Sequence, residues 1–403
     1  MKKIRLILIF LLAMSGFISL TVWQTGCGKE PAKQVQKNPL IIGAHYFPWY
    51  EGPGSTYWKK NNLRQNLDSP QEPGLGEYNC RSEETIRQHI AWAKSAGIDF
   101  FVMRWWGDNT KMDVTIKNHF VPYLTKTKSD FKFCILYDTP YILRMVNWEI
   151  KIDTEEADLW LKQFIYLAQT YFNHPNYLKI NNRPVVFMSF TRCLSGNYAS
   201  ALRRIRTILK ESRTKQDVYL VGDEIFWMDP DPKRIKEFDA ITVYNMYGPL
   251  RYDDYARKTG FFENLTKVFE KYHKVAGELK VGFIPNVMPG FNDRGSNLKA
   301  HNYIIPREVD FDIKNAGSFY RDYFKVAKKF LPPTGAGLNL PAGEAGMIVI
   351  TSWNGWTEDT QIEPVQSSET PTRKPIELTG GYEYPAYGEM YLNITREEKS
   401  PVK

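Results

Sequence analysis

Eight short apolar, β-rich runs recur along the chain, and most are followed by polar or aromatic residues and then by a stretch of helical periodicity. They span Leu40 to Tyr50, Asp99 to Trp106, Lys132 to Asp138, Pro184 to Phe190, Val218 to Glu224, Ala240 to Tyr247, Lys280 to Pro289 and Met347 to Trp353. Between them the spacing of apolar positions predicts amphipathic helices over Glu83 to Ser95, Glu155 to Phe172, Tyr198 to Ser212, Phe261 to Ala276 and Ser318 to Leu331. Shorter helices are expected over Val114 to Thr125 and Pro232 to Glu237. Strands that alternate with helices form parallel βα units, and eight such units predict an α/β fold closed as a (β/α)8 TIM barrel. The other α/β architecture, an open doubly wound sheet, would normally offer a glycine-rich phosphate turn after an early strand, and none is present. Pro285 and Pro289 cannot donate to a ladder, so the seventh strand is expected to stop early and hand over to an irregular loop. The stretch Asn292 to Val309 has little periodicity and is long enough to be a functional loop over the barrel mouth.

The pattern changes at the N-terminus. Lys2, Lys3 and Arg5 precede an apolar run from Leu6 to Trp23, followed by Thr25, Gly26 and Cys27, which together read as an export signal. The run is nearly long enough to span a bilayer as an uncleaved anchor. Gly26-Cys27, however, resembles the end of a bacterial lipobox, in which the cysteine is lipidated and becomes the mature N-terminus. On that reading residues 1–26 are a signal peptide, 27–39 a lipidated linker rich in Lys, Gln and Pro, 40–395 the barrel and 396–403 a C-terminal tail. A monomer tethered through a lipid anchor on Cys27 to the periplasmic or cell-surface face of the outer membrane is expected.

Composition narrows the partners. The formal charge of +8 falls by three without the signal-peptide cations and is spread without a basic block, which argues against nucleic acid. Aromatic residues make up 14% of the chain and include 11 Trp, an excess that a carbohydrate-binding cleft explains better than a merely large core does. Beyond Cys27 only Cys80, Cys134 and Cys193 remain, without metal-ligand spacing; Cys134 lies in an apolar run, and at most one disulfide could form. The six histidines show no paired ligand spacing, so no metal or other cofactor is expected.

In a parallel barrel the residues just after each strand converge on one face, which supplies a list of candidates. The first strand delivers His45, Tyr46, Trp49 and Tyr50, the second Arg104, Trp105, Trp106 and Asp108, and the third Tyr137 and Asp138. Asp223 and Glu224 end the fifth, Asn245 and Tyr247 the sixth, and Asn292, Asp293 and Arg294 lie in the seventh loop. The eighth run, Met347 to Val365, is the densest, with Trp353, Asn354, Trp356, Glu358, Asp359, Gln361 and Glu363 within a dozen residues of a buried strand. Indole faces pack on the C–H faces of sugars, while amides and carboxylates bond hydroxyls. Acids beside aromatics fit glycoside cleavage, which needs one protonated and one ionised carboxyl group. Bland readings stand beside these: Asp223 or Glu224 as a helix cap, Asp108 as a turn residue, His45 as a packing histidine, and one of Trp105 and Trp106 facing the helical shell. Glu358 is the exception, because it follows two Trp closely and has no helix start nearby to cap.

Three stretches, AHYFPWY at Ala44 to Tyr50, FFVMRWWG at Phe100 to Gly107 and ITSWNGWTEDTQIEPV at Ile350 to Val365, resemble the first, second and eighth strands of glycoside hydrolase family 99 and its relatives, including family 71. The resemblance implies a (β/α)8 barrel that cleaves α-mannose-containing glycans, with bacterial members often lipoproteins. In that family two glutamates lie three residues apart, the second a general acid and the first assisting attack through the sugar's 2-hydroxyl. The second matches Glu358, whereas the first falls on Gly355. Loss of a general base costs about 100- to 10,000-fold unless it is replaced. Glu224 is the leading candidate for a displaced base or nucleophile, with Asp138 more suited to bonding a hydroxyl and Asp223 also at a strand end. A small Gly355 is expected to open space for a different sugar. Two further readings stay open, a non-catalytic glycan-binding lipoprotein and a glycosyltransferase-like relative in polysaccharide assembly.

Overall fold

A computed structural model of the protein describes residues 40–400 apart from 60–61, 213–214, 247–259, 297–303, 308–314, 332–345 and 367–370. The expected signal peptide, Cys27, the linker and Tyr247 lie outside the described residues, which all fall in one compact unit. Eight parallel strands form the barrel: β1 (Ile41–Tyr46), β2 (Phe100–Trp105), β3 (Lys132–Tyr137), β4 (Arg183–Met188), β5 (Tyr219–Asp223), β6 (Ala240–Thr242), β7 (Gly282–Phe283 and Asn286–Val287) and β8 (Met347–Ile350). Their order around the sheet follows the chain, and β1 pairs both with β2 and with β8.

Closure depends on β7, which is broken in the middle rather than stopped early. Gly282–Phe283 pairs with β6, and Asn286–Val287 pairs with β8. The gap falls at Ile284 and Pro285, because Pro285 has no N–H to give; its carbonyl still accepts from Val349 N at 3.2 Å. The ladder therefore passes through the proline on its acceptor side, and the barrel closes.

Helices follow the strands as α1 (Glu83–Ser95), α2 (Lys111–Thr115, Ile116–Phe120 and Val121–Thr127, with a π turn in the middle piece), α3 (Thr154–Thr170), α4 (Tyr198–Glu211), α5 (Pro232–Ile235), α6 (Gly260–Leu279), α7 (Ser318–Lys328) and α8 (Met390–Lys399). Local chemistry sets several ends. Asp153 and Glu156 form a capping box on α3, and Pro232 at the start of α5 follows Asp231, whose side chain accepts from Lys233 N. The C-terminal segment belongs to the barrel: a boundary after residue 395 would cut α8, whose Thr395 reaches Tyr320 of α7 at 3.1 Å and whose Lys399 pairs with Asp99 at 2.5 Å.

Strand alternation sorts side chains between the lumen and the helical shell. His45 and Phe187, on the non-adjacent strands β1 and β4, have ring centroids 6.1 Å apart, a contact that crosses the lumen. Tyr46, the next residue, points the other way, with its hydroxyl 3.0 Å from His89 Nδ1 on α1. Gly43 in β1 has to lack a Cβ, since one would fall on the Phe100 ring.

The segment after β8 is fastened at three buried points. Asn354 accepts from Phe47 N at 2.7 Å and donates to Phe47 O at 3.0 Å, joining this segment to the end of β1. Asp359 lies between Arg64, at 2.6 Å, and Arg307, at 3.3 Å. Glu363 accepts from Tyr78 Oη at 2.7 Å and from Trp356 Nε1, and His89 Nε2 lies 3.1 Å away. Burial pushes the Asp359 carboxyl up, but Arg307 and Arg64 more than offset this and hold it below the usual carboxylate range.

Removing the central charge of this triad would leave two buried guanidinium groups without a counter-ion. Asp359→Ala should lower the free energy of unfolding by about 3–5 kcal/mol, read as the shift of the urea midpoint. Because the folded pKa is depressed, the contribution of Asp359 is complete above its unfolded pKa and is lost as pH falls through the folded value. The gap between wild type and variant should therefore narrow in acid, and a pH-independent gap would contradict the ionic origin.

Candidate active site

The C-terminal ends of β2, β3, β4, β6 and β8 bring together Arg104, Trp106, Asp138, Ser189, Tyr244 and Glu358. Arg104 is the even-parity partner of Val102 in β2 and so projects into the lumen, where its Nε donates to Asp138 Oδ2 at 2.6 Å. Trp106 Nε1 donates to the same oxygen at 2.6 Å, and Ser189 Oγ donates to Oδ1 at 3.3 Å. Asp138 is thus a buried carboxylate with named donors on both oxygens. The Arg104 guanidinium also lies 5.5 Å from the Phe47 ring, 5.6 Å from Trp49 and 5.9 Å from Tyr244. Burial works against its charge, yet Asp138, Tyr244 and Glu358 together hold it more firmly protonated than an ordinary arginine.

Glu358 ends the short turn Trp356–Glu358 and remains partly exposed. Its Oε2 accepts from Tyr244 Oη at 2.7 Å. Desolvation raises its pKa above 4.5, Arg104 and the Tyr244 hydroxyl pull it back, and Asp293 and Asp138 push it up, leaving the carboxyl raised. The loop carrying Asp293 is fixed beside this turn, since Asn292 N donates to Glu358 O at 2.8 Å. His45 lies next to Tyr244, with ring centroids 5.2 Å apart. Burial, and secondarily Arg104, lower its pKa to about 3, so it is neutral near pH 7. Neither ring nitrogen has a hydrogen-bond partner among the described residues, leaving a neutral donor and acceptor in the lumen.

Most of the aromatic and amide candidates have structural positions instead. Trp105 faces the helical shell, donating to Asp113 at 2.9 Å and stacking on Tyr166 of α3. Trp353 is enclosed by His89 and Phe101, and Tyr137 by Trp160 and Phe164. Trp49 lines the lumen edge, but Phe47 covers one side at 4.5 Å and Tyr57 stacks on it at 4.9 Å, so protein rings occupy its faces. Tyr46 is turned to His89, and Tyr50 donates to Asn354 O at 2.8 Å. Asn292 donates to Leu378 O and Tyr384 Oη, Gln361 donates to Asp359 Oδ1 at 3.2 Å, and Asn354 is the clamp on Phe47. Asn245 is buried just beyond β6, and its Nδ2 has no partner among the described residues. Trp49, Trp105 and Trp353, the indoles expected to stack on a sugar, are all buried, and among the indoles that follow β1, β2 and β8 Trp106 is the one left partly exposed.

The acids divide as sharply. Glu224 points outward to α5, where both oxygens accept from Arg234 Nε at 3.0 and 2.8 Å. Burial raises its pKa to about 7 against the pull of Arg234 and Thr191, but its place beside α5 does not fit a displaced base. Asp223 faces inward and accepts from Phe190 N at 2.8 Å, Arg192 at 2.7 Å and Tyr244 N at 3.1 Å, which makes it a positioning residue for Tyr244. Gly355 opens no space. A Cβ there would collide with Ser352 Oγ and Thr360 Oγ1 and come within 3.0 Å of the Phe47 ring.

Two site residues escaped the reading of strand ends, Ser189 and Tyr244. Parity carries a signal for Tyr244, because it lies two residues beyond Thr242, the last residue of β6, and so continues that face. Among the described residues no group of three His, Cys, Asp or Glu side chains could hold a metal ion.

The model of glycosyl hydrolase family 99 matches residues 44–400. Mouse glycoprotein endo-alpha-1,2-mannosidase is 21% identical over 418 residues, covering 91% of this chain and 77% of that protein. A human glycoprotein endo-alpha-1,2-mannosidase-like protein is also 21% identical, over 82% of this chain and 64% of its own length. Among solved structures, a glycoside hydrolase-like protein superposes with a TM-score of 0.65 at 20% identity, covering 93% of this chain and 98% of that one. The GH99 endo-alpha-mannosidase of Bacteroides thetaiotaomicron gives 0.61 at 18% identity, covering 89% and 96%. These structural likenesses support the barrel, and the match over nearly the whole described length shows that the chain belongs to glycosyl hydrolase family 99.

Proposed function

We propose that the protein is an exported, lipid-tethered glycoside hydrolase that cleaves an α-mannoside-containing glycan, with Glu358 as general acid. The observation that carries the reading is the carboxyl of Glu358 at the barrel mouth, raised in pKa by burial and bonded to Tyr244. An acid with a raised pKa keeps its proton closer to neutral pH and can pass it to the glycosidic oxygen as the bond breaks. Arg104 and Asp138 supply a fixed charge pair beside it, and neutral His45 can bond a sugar hydroxyl. The names of the mouse and human relatives support an α-mannoside as the sugar.

A second reading, a barrel that binds glycan without cleaving it, is favoured by one observation: the site has no carboxylate at position 355 and no room there for a side chain. The two are separated by measuring product and binding on the same ligand.

Glu358→Gln should lower turnover by about 100- to 10,000-fold while leaving glycan affinity nearly unchanged, since the amide keeps the shape and loses the proton. An aryl glycoside with a good leaving group should recover part of the loss. Wild-type turnover in the variant would refute the assignment, and binding without any product from the wild type would establish the second reading.

The pH profile offers an independent check. Activity should decline as pH rises through the raised pKa of Glu358, because the acid must be protonated. Tyr244 donates to the charged carboxylate and so favours ionisation; Tyr244→Phe should move the alkaline limb of kcat/KM to higher pH. A limb that stays in place, or moves down, would show that Glu358 does not set it.

Cys27→Ala should release the protein from the membrane fraction. A wild type found unlipidated and fully soluble would remove the tether from the proposal.

A further inference from the structure

Beyond Asp138 the aromatic surface continues outward along the mouth. Trp106, whose N–H holds Asp138, stacks on Tyr141 with ring centroids 4.3 Å apart and planes 14° apart, and Tyr141 is 58% exposed. The same loop then makes a two-residue hairpin, in which Val146 and Glu149 exchange backbone bonds of 2.9 Å around Asn147 and Trp148. Both central residues are left-handed, with φ of 50° and 62°. Such a turn favours Asn-Gly, so asparagine in the first position is expected and tryptophan in the second is not. Trp148 nevertheless stands there, 66% exposed.

Its ring lies 6.4 Å from Phe190 at an interplanar angle of 30°, and Phe190 is itself left-handed, with φ of 54°. Phe190 is braced from below: its N–H donates to Asp223, and Arg192, paired to the same carboxylate, lies 4.4 Å from its ring. The hairpin is braced too, because Ile150–Ile152 pairs in parallel with Leu194–Gly196 and Ser195 Oγ donates to Glu149 at 2.6 Å. Two adjacent loops thus hold large rings in disfavoured backbone conformations, and Trp148 gains little burial in return. Local strain that the surrounding structure holds in place and the core does not use points to a ligand.

We infer that Trp148 and Phe190, on and beside the loop that carries Tyr141, form an outer sugar-binding platform that takes the pyranose rings of a glycan chain beyond those next to Glu358. The inference rests on the reading of the site as one for glycans and goes beyond it in assigning where a longer chain lies. The occupant is a carbohydrate rather than an apolar peptide, because Trp106 and Tyr141, at the start of the same loop, stack outward from the Asp138 carboxylate. They are also interleaved with exposed Arg144, Asn147 and Glu149, which suits a ligand that alternates C–H faces with hydroxyls.

The test is binding of the full chain to an array of α-mannan, α-glucan and β-glucan fragments from disaccharide to hexasaccharide, followed by calorimetry on the best series. Wild type should gain affinity with chain length. Trp148→Ala should weaken the hexasaccharide by about 2- to 10-fold and leave the disaccharide unchanged. Trp148→Gly should show the same loss with a raised Tm, since glycine adopts the turn without strain, whereas a merely structural Trp148 would give a lowered Tm and unchanged affinity. A Trp148→Gly protein that binds the hexasaccharide as tightly as wild type overturns the platform and leaves the Glu358 reading intact. A wild type that binds none of the fragments overturns both.

Discussion

The position of Glu358 depends on burying charged and amide groups in the segment that follows β8. A loop holding an acid at a barrel mouth has to resist both the pull of water on its polar backbone and the repulsion between its own carboxylates. Here Asp359 and Glu363 are turned away from Glu358 and partnered behind it, one paired with Arg64 and Arg307, the other bonded by Tyr78 and Trp356 with His89 nearby. The arginines come from the β1–α1 connection and the segment after β7, so the loop is tied to both of its neighbours. Breaking one buried pair costs more than forming it gained, because the surviving charge is left without solvent. That asymmetry makes the segment rigid, and the rigidity leaves Glu358 as its one acid facing the mouth.

The same fact explains why the densest motif in the sequence was misleading about contacts. Asn354, Gln361 and Trp353 belong to a cluster rich in sugar-binding residue types, yet each is spent on holding the loop. Residue type alone cannot distinguish an amide that bonds a substrate hydroxyl from one that bonds a backbone carbonyl across the barrel. The fold was far more legible. Hydrophobic period and run length located all eight strands and seven helices, since both depend on local sequence. The eighth helix was hidden because Met390–Lys399 carries few apolar positions and is recruited by contacts with α1 and α7. Pro285 read as a stop, but only its donor side is lost, and the barrel uses its carbonyl.

At the strand ends, parity decided what residue type could not. Trp105 and Trp106, or Asp223 and Glu224, are adjacent and chemically alike, and each pair splits between shell and lumen. Alternation requires one of Trp105 and Trp106 to face the helical shell, and only the register of β2 decides that it is Trp105. Tyr244 went unseen because a tyrosine after a short strand resembles core, and its role follows from partners on other strands: Asp223 fixes its backbone and Glu358 receives its hydroxyl.

Gly355 poses a sharper question than a missing side chain. Ser352 and Thr360 close the space a side chain would need, bonded to one another at 2.9 Å, with Gly355 N donating to Ser352 at 2.8 Å. A glutamate placed at position 355 would have to displace this buried hydroxyl pair before it could reach a substrate. Any hydrolysis by this barrel has to proceed without a base from that position, in a mouth where Arg104 and Asp138 hold a buried charge pair.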